Sequence, residues 1–173
     1  MSRISNIVNE KIDFLYVDTW VDFGTGNGVT VKGLKWNTMA SEKIAIDKFP
    51  QAIGDGWKFV DEMDMILNKK RDLFTSFDSI EHLTKEDGIK FLNKIEPWFR
   101  CKLFFTPRGF LQQDEITHPE LVGQNPWQKH LSGWDEKDFE KFGYTTIILE
   151  SFHYPQGLNR YFDAIISYKM DSL

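Results

Sequence analysis

The chain has 173 residues, with 21 Lys and Arg against 26 Asp and Glu, a net charge of −5 and a pI near 5.4. That length buries a core in one domain, and 41% hydrophobic with 15% aromatic residues excludes a disordered chain. The acidic balance excludes a global basic field for nucleic acid, and no run approaches the roughly 18 apolar residues of a membrane helix.

From the N-terminus, residues 1–18 carry no apolar stretch of the signal-peptide kind. They read as a short lid region in front of a single domain over 1–173, expected to be soluble and cytoplasmic. Strands are expected at Thr19–Phe23 (TWVDF), 43–46 (KIAI), 73–77 (LFTSF), 103–106 (LFFT), 144–150 (YTTIILE) and 161–168 (YFDAIISY). Short, nearly continuous apolar runs suit strands buried on both faces of a parallel sheet. A short helix is expected after Gly28, although Val29, Thr30, Val31 and Gly33 are weak helix formers. Lys69, Lys70 and Arg71 form the basic run and read as a solvated face. A helix over 84–98 has Thr84 as N-cap, Asp87 three residues on, and Ile89, Phe91, Leu92 and Ile95 as apolar face. Cys101, the single cysteine, excludes an intrachain disulfide and reads as core. Residues 109–134 form a long loop without secondary structure, of the sort that binds or closes over ligands. A short helix over 135–142 ends at Gly143. Strands alternating with helices and closed by two strands on a short loop give an α/β sheet with an antiparallel end.

The stretch 21–28, VDFGTGNG, follows the first strand. Three glycines in five residues there let a ligand lie against main-chain N–H groups at a strand's carboxyl end. The spacing Gly24-x-Gly26-x-Gly28 is not that of dinucleotide binders, and the missing Lys-Ser/Thr excludes a Walker loop. An empty tight turn is the plain alternative. Asp47, at the end of the second strand, can accept two hydrogen bonds from a ribose diol, or act as an ordinary solvated or capping carboxylate.

Residues 21–28, 43–47, 77–83 (FDSIEHL) and 106–109 (TPRG) with 128–134 (QKHLSGW) together resemble the class I S-adenosylmethionine-dependent methyltransferases. The likeness covers roughly residues 16–145. It implies a Rossmann-like, doubly wound sheet of about seven strands, mostly parallel with an antiparallel last strand, and helices on both faces. It further implies S-adenosylmethionine as cofactor, with Gly24, Gly26 and Gly28 along its methionine part, Asp22 at its amino group and Asp47 on its ribose. For the adenine, Asp61, Glu62 and Asp64 stay open, with Asp61 carried as the candidate. Phe77, Asp78 and Ser79 would sit at the sulfonium end, with Glu81 and His82 behind. Asn125-Pro126-Trp127 imitates a nucleic-acid methyltransferase motif but falls after the wrong strand, and reads as loop structure.

Methyl transfer from a sulfonium needs positioning and desolvation rather than a covalent nucleophile. A base is needed only for a protonated acceptor. His130 and His82 are the candidates for it, with His118 as a third, against the plainer reading of structural histidines. Gln113, Trp127, Gln128 and Trp134 are expected to offer polar and stacking contacts. No metal site is read. The expected function is methyl transfer to a small-molecule or sugar-like acceptor, with no membrane partner. A non-catalytic cofactor-binding module is the alternative, and a nicotinamide oxidoreductase is disfavoured by the glycine spacing.

Overall fold

The computed structural model describes residues 2–48, 54, 56–155 and 160–171. Its strands are β1 (Thr19–Phe23), β2 (Glu42–Ile46), β3 (Trp57–Val60), β4 (Arg71–Phe77), β5 (Phe99–Pro107), β6 (Thr145–His153) and β7 (Phe162–Met170). They form one seven-stranded sheet in the order β3-β2-β1-β4-β5-β7-β6. β1 pairs in parallel with β2 and β4, β2 pairs in parallel with β3, and β6 and β7 are antiparallel. The helices are α1 (Arg3–Lys11), α2 (Val29–Lys32), α3 (Trp36–Met39), α4 (Lys85–Ile95), α5 (Pro119–Gln124) and α6 (Glu136–Glu140). This is the α/β sheet with an antiparallel end that the alternation of apolar runs predicts, and the Rossmann-like architecture that the resemblance implies. No helix among the described residues is long and apolar enough to cross a membrane.

The residues group into two compact units. The first lies within Met1–Phe77, Pro97–Lys102 and Met170–Leu173, and the second within Asp78–Glu96 and Leu103–Lys169.

In the first unit, Trp20, Val21, Ile44, Ala45, Leu73 and Phe74 are buried, as strands covered on both faces require. Trp20 packs edge-on against Trp36 and Trp57, and Phe14 stacks on Trp36. Such pairs add roughly 0.5–1.5 kcal/mol beyond the area they bury. The expected lid region instead contains α1. Ser2 caps this helix by accepting from the Ser5 N–H, and Ile4, Ser5 and Val8 are its buried face. Ser5 donates to the Thr30 carbonyl, and Asn9 bridges the Gly33 carbonyl and the Lys35 N–H. The chain then runs to β1 under two long-range clamps. Arg100 donates to the Leu15 and Tyr16 carbonyls, and Asp72 accepts from the Asp18 and Thr19 N–H groups. Lys102 on β5 is fully buried and paired with Asp171 at 2.5 Å.

In the second unit, α4 starts as expected, with the Thr84 hydroxyl accepting from the Asp87 N–H. Its buried positions are Gly88, Phe91, Leu92 and Ile95, the one-sided spacing of an amphipathic helix. Ile89, expected on that face, is 39% exposed. Gly88 takes its place because the Trp134 indole lies directly against it, where a Cβ would collide with the ring. Trp134 also packs on Phe139 of α6, and Phe139 on Phe104 and Tyr144. Lys85 sits 3.9 Å above the Trp134 ring and bonds Asp138 and the Gly133 carbonyl. Asp135 and Asp138 form a reciprocal cap on α6, and Gly143 beyond it adopts a φ of 77°. The stretch 109–134 is not structureless: it carries α5 and a short 3-10 turn over Pro126–Gln128, capped by the Asn125 side chain.

Candidate functional site

In the first unit, candidate residues lie at the carboxyl ends of β1 and β2. Gly24, Gly26 and Gly28 have φ values of 74°, 53° and 72°, all in the left-handed region that side chains disfavour. Backbone geometry thus explains all three glycines. The Gly24 N–H reaches the Ile46 carbonyl at 2.8 Å, and Gly28 closes onto the Thr25 carbonyl at 2.9 Å. Between them, the Gly26 N–H donates to Asp47 Oδ2 at 2.7 Å, so the β2 acid anchors the β1 turn. Among the described residues, a Cβ placed on Gly26 would meet no atom within 4 Å beyond its chain neighbours, so the turn faces open space. α2 is a single turn, too short for a strong terminal dipole.

Asp22 is 1% exposed beneath this turn. It accepts from the Thr75 hydroxyl at 2.5 Å, and Thr75 in turn accepts from the Trp20 indole N–H at 2.8 Å. Burial pushes the Asp22 carboxyl up to about 7, with Asp47 adding to the rise and Thr75 opposing it. Asp61 directly follows β3 and is exposed, as are Glu62 and Asp64, and Glu62 pairs with Lys48 at 3.5 Å. Phe77 is the buried last residue of β4.

The second unit begins at Asp78, an exposed residue at φ 46° whose N–H donates to the Phe105 carbonyl. A 3-10 turn over Ile80–His82 follows. It brings Glu81 and His82 to His130, and one donor atom from each of the three lies within 4.8 Å of the others. The rings of His82 and His130 meet edge-on, with centroids 4.9 Å apart. Glu81 is 2% exposed. Its Oε2 accepts from the Thr106 hydroxyl at 2.8 Å, and its Oε1 is buried without a hydrogen-bond partner among the described residues. Burial raises the Glu81 carboxyl to about 8, with the charge of Asp78 adding to it. The Glu81 carbonyl accepts from both Leu131 and Ser132 N–H, which ties the 128–134 stretch to the turn.

His130 is buried, and its Nδ1 donates to the Leu111 carbonyl at 2.6 Å. A carbonyl only accepts, so Nδ1 carries the hydrogen and Nε2 the lone pair. Burial lowers His130 to about 4, helped by His82, His118 and His153. A neutral imidazole of such low basicity is a poor base at pH 7 but a good metal ligand. Glu81 Oε1 and His130 Nε2 are donors turned to a cation, whereas His82 Nδ1 and Nε2 each lie 3.1 Å from a backbone carbonyl, of Lys129 and Asp78, so its ring must leave one of them to become a third.

Several expected contacts fall elsewhere. Trp134 is 1% exposed and works as core. Gln113 bonds the Gln128 carbonyl and receives the His130 N–H, which shapes the loop from within. Trp127 stays 59% exposed. A cavity of about 570 Å³ opens among Arg108, Glu136, Arg160 and Asp163, but none of the expected site residues lines it. Arg108 there already forks onto Glu136 and reaches Asp163 at 3.3 Å. Thr75 and Thr106 were hidden from sequence reading, because threonines inside apolar strands look like ordinary β formers.

No protein-family model matches the chain, and no curated protein matches it in sequence. Solved structures match its fold. The small RNA methyltransferase HEN1 superimposes with a TM-score of 0.59 at 16% identity, covering 98% of this chain and 24% of that one. An O-methyltransferase family protein from Burkholderia thailandensis gives 0.60 at 11% identity, covering 98% and 56%. LepI in complex with S-adenosylmethionine gives 0.54 at 11% identity, covering 98% and 47%. The chain therefore has the class I methyltransferase fold, and spans between about a quarter and just over half of the length of these proteins.

Proposed function

We propose that the chain is an S-adenosylmethionine-dependent methyltransferase acting on a hydroxyl of a small, sugar-like acceptor. The observation that carries this reading is the lock between Asp47 and the Gly26 N–H, which holds three left-handed glycines open at adjacent strand ends. A turn that only reversed the chain would need neither the open face nor an acid from the next strand.

In the proposed reaction the acceptor oxygen forms a bond to the methyl carbon as the carbon–sulfur bond breaks. Sulfur leaves with the electron pair, and the acceptor's proton passes to solvent or a nearby base. Asp22 would face the cofactor's ammonium, and Asp47 its ribose hydroxyls. Glu81, His82 and His130 would hold a divalent cation, which supplies Lewis acidity that lowers the pKa of a coordinated hydroxyl. Glu81 offers Oε1 for this, and His130 offers Nε2.

The HEN1 likeness supports a second reading, in which the acceptor is RNA. The basic run does not favour it. Lys69 is paired with Glu42 at 2.8 Å, and Arg71 is 7% exposed and turned onto the Ile66 carbonyl.

Calorimetry with S-adenosylhomocysteine tests the cofactor half. Asp47→Ala should weaken binding by about 1–3 kcal/mol, the scale of hydrogen bonds to a charged group. Unchanged affinity would remove Asp47 from the site. Mass spectrometry of nucleosides, monosaccharides and short RNA incubated with cofactor and MnCl₂ or EDTA then reads the acceptor. Cofactor binding without any methylated product would favour the binding-module alternative.

A further inference from the structure

The cavity beyond the end of β5 takes no part in the chemistry above, yet it lies close to it. Thr106 on β5 bonds Glu81, and Arg108 follows two residues later, its N–H held by the Asp163 carbonyl. Two residues of extended chain span about 6.6 Å and return the side chain to the same side. The cavity that Arg108 lines therefore opens one pleat from the Glu81 pair, within the second unit. Its volume of about 570 Å³ is that of a small-molecule site.

The walls balance in charge. Arg108, Lys137 and Arg160 line the cavity together with Asp135, Glu136 and Asp163, three cations to three acids. Arg108 forks onto both Glu136 oxygens and reaches one oxygen of Asp163, whose other oxygen accepts from the Ser151 N–H. Such a fork fixes the planar groups, while each carboxylate oxygen keeps a lone pair for one more donor. Adjacent hydroxyls of a sugar are donors of that kind. Walls whose charges cancel offer an ion no net attraction to offset its lost hydration. Arg160 covers the lining ring of Phe162 at 4.4 Å. The other lining ring, Tyr161, is exposed and packs against Tyr154 with centroids 4.8 Å apart. An exposed ring steadied by its neighbour is a platform for the C–H face of a sugar.

We propose that this cavity binds a neutral sugar ring of the acceptor, with Tyr161 as the platform and Arg108, Glu136 and Asp163 on the hydroxyls. The inference rests on the reading of the acceptor as sugar-like. It adds that the acceptor carries no charge, which sets it apart from sugar phosphates, amino sugars and RNA.

Saturation-transfer NMR and calorimetry on the full chain test this, with glucose, galactose, ribose, glucose 6-phosphate and glucosamine as probes. At least one neutral sugar should bind. The two charged sugars should bind about tenfold more weakly or worse, the scale of a charge left without a partner. Tyr161→Ala changes a surface residue and should weaken the neutral sugar by roughly 2–10-fold, the scale of an aromatic contact. Glu136→Gln keeps the shape and leaves the walls cationic, so glucose 6-phosphate should gain on the neutral sugar by about fivefold, the scale of one charge pair at about 4 Å in water. A parent chain that binds none of the sugars, or binds a charged one more tightly, overturns the proposal. So does a Tyr161→Ala chain of unchanged affinity. S-adenosylhomocysteine binding, measured in parallel, keeps the two readings apart. Sugar binding without it removes the methyl-transfer reading and leaves the sugar site, whereas cofactor binding without sugar binding removes the sugar site alone.

Discussion

Gly26→Ala separates a glycine kept for the chain's sake from one kept for a ligand's. Its φ of 53° places any side chain in the left-handed region, at a conformational cost of roughly 1–2 kcal/mol. The added methyl meets no atom of the described residues within 4 Å beyond its chain neighbours, so no packing penalty follows. For a domain of this size, about 2–4 °C is lost per kcal/mol. Thermal unfolding should therefore drop by roughly 2–8 °C, with the fold intact. The affinity for S-adenosylhomocysteine should fall further, by at least about tenfold (roughly 1.4 kcal/mol), because the methyl projects into the space assigned to the cofactor. Differential scanning fluorimetry and calorimetry on the same sample read both quantities. A variant that loses the expected few degrees yet binds the ligand like the parent would show that the open face of this turn is not a binding surface.

Two further outcomes follow from buried groups. The Asp22 carboxyl titrates near 7 in the fold against 3.8 for the free side chain, so between those values the folded chain holds a proton that the unfolded chain has released. Stability should then decline as pH rises from about 4 to 7, by up to about 1.4 kcal/mol per unit. Asp22→Asn should flatten that slope, and urea midpoints at pH 5 and 7 with the same difference in both proteins would refute the assignment. Gly88→Ala should destabilise by about 1–3 kcal/mol, since its methyl must displace the Trp134 indole. An unchanged urea midpoint there would mean that the helix and ring can separate freely.

What the sequence reveals here depends on how local the cause is. β1, β4 and the capped start of α4 were legible because apolar runs, Gly clusters and Thr84 with Asp87 act within a few residues. The glycine turn was legible for the same reason, and its partner Asp47 through a 21-residue separation that the fold class fixes. α1 was missed because its hold comes from Thr30, Gly33 and Lys35, more than 20 residues away. α5 was missed because a six-residue helix carries little periodicity. The closeness of Glu81, His82 and His130 was not legible for a related reason. The third donor arrives 48 residues after the second, without the close spacing that marks compact metal motifs. His130 and His82 were both picked out, but as bases. Only the burial of His130 and the bond from its Nδ1 to Leu111 reveal which task that ring suits.

The clamps at Arg100 and Lys102 also set a schedule. The first unit is assembled from three separate stretches of chain, and residues 170–171 of it are synthesised after the whole of the second unit. Arg100 grips residues 84 and 85 positions before it, and Asp171 reaches back 69 positions to Lys102. A ribosome adding roughly 5–20 residues per second needs some 5–20 s to go from residue 77 to residue 171. During that interval β1, β2 and β4 exist without their final partners, and the second unit's sequence is emerging beside them. A nascent chain arrested after residue 77 should thus remain protease-sensitive, while one extended beyond residue 171 should not.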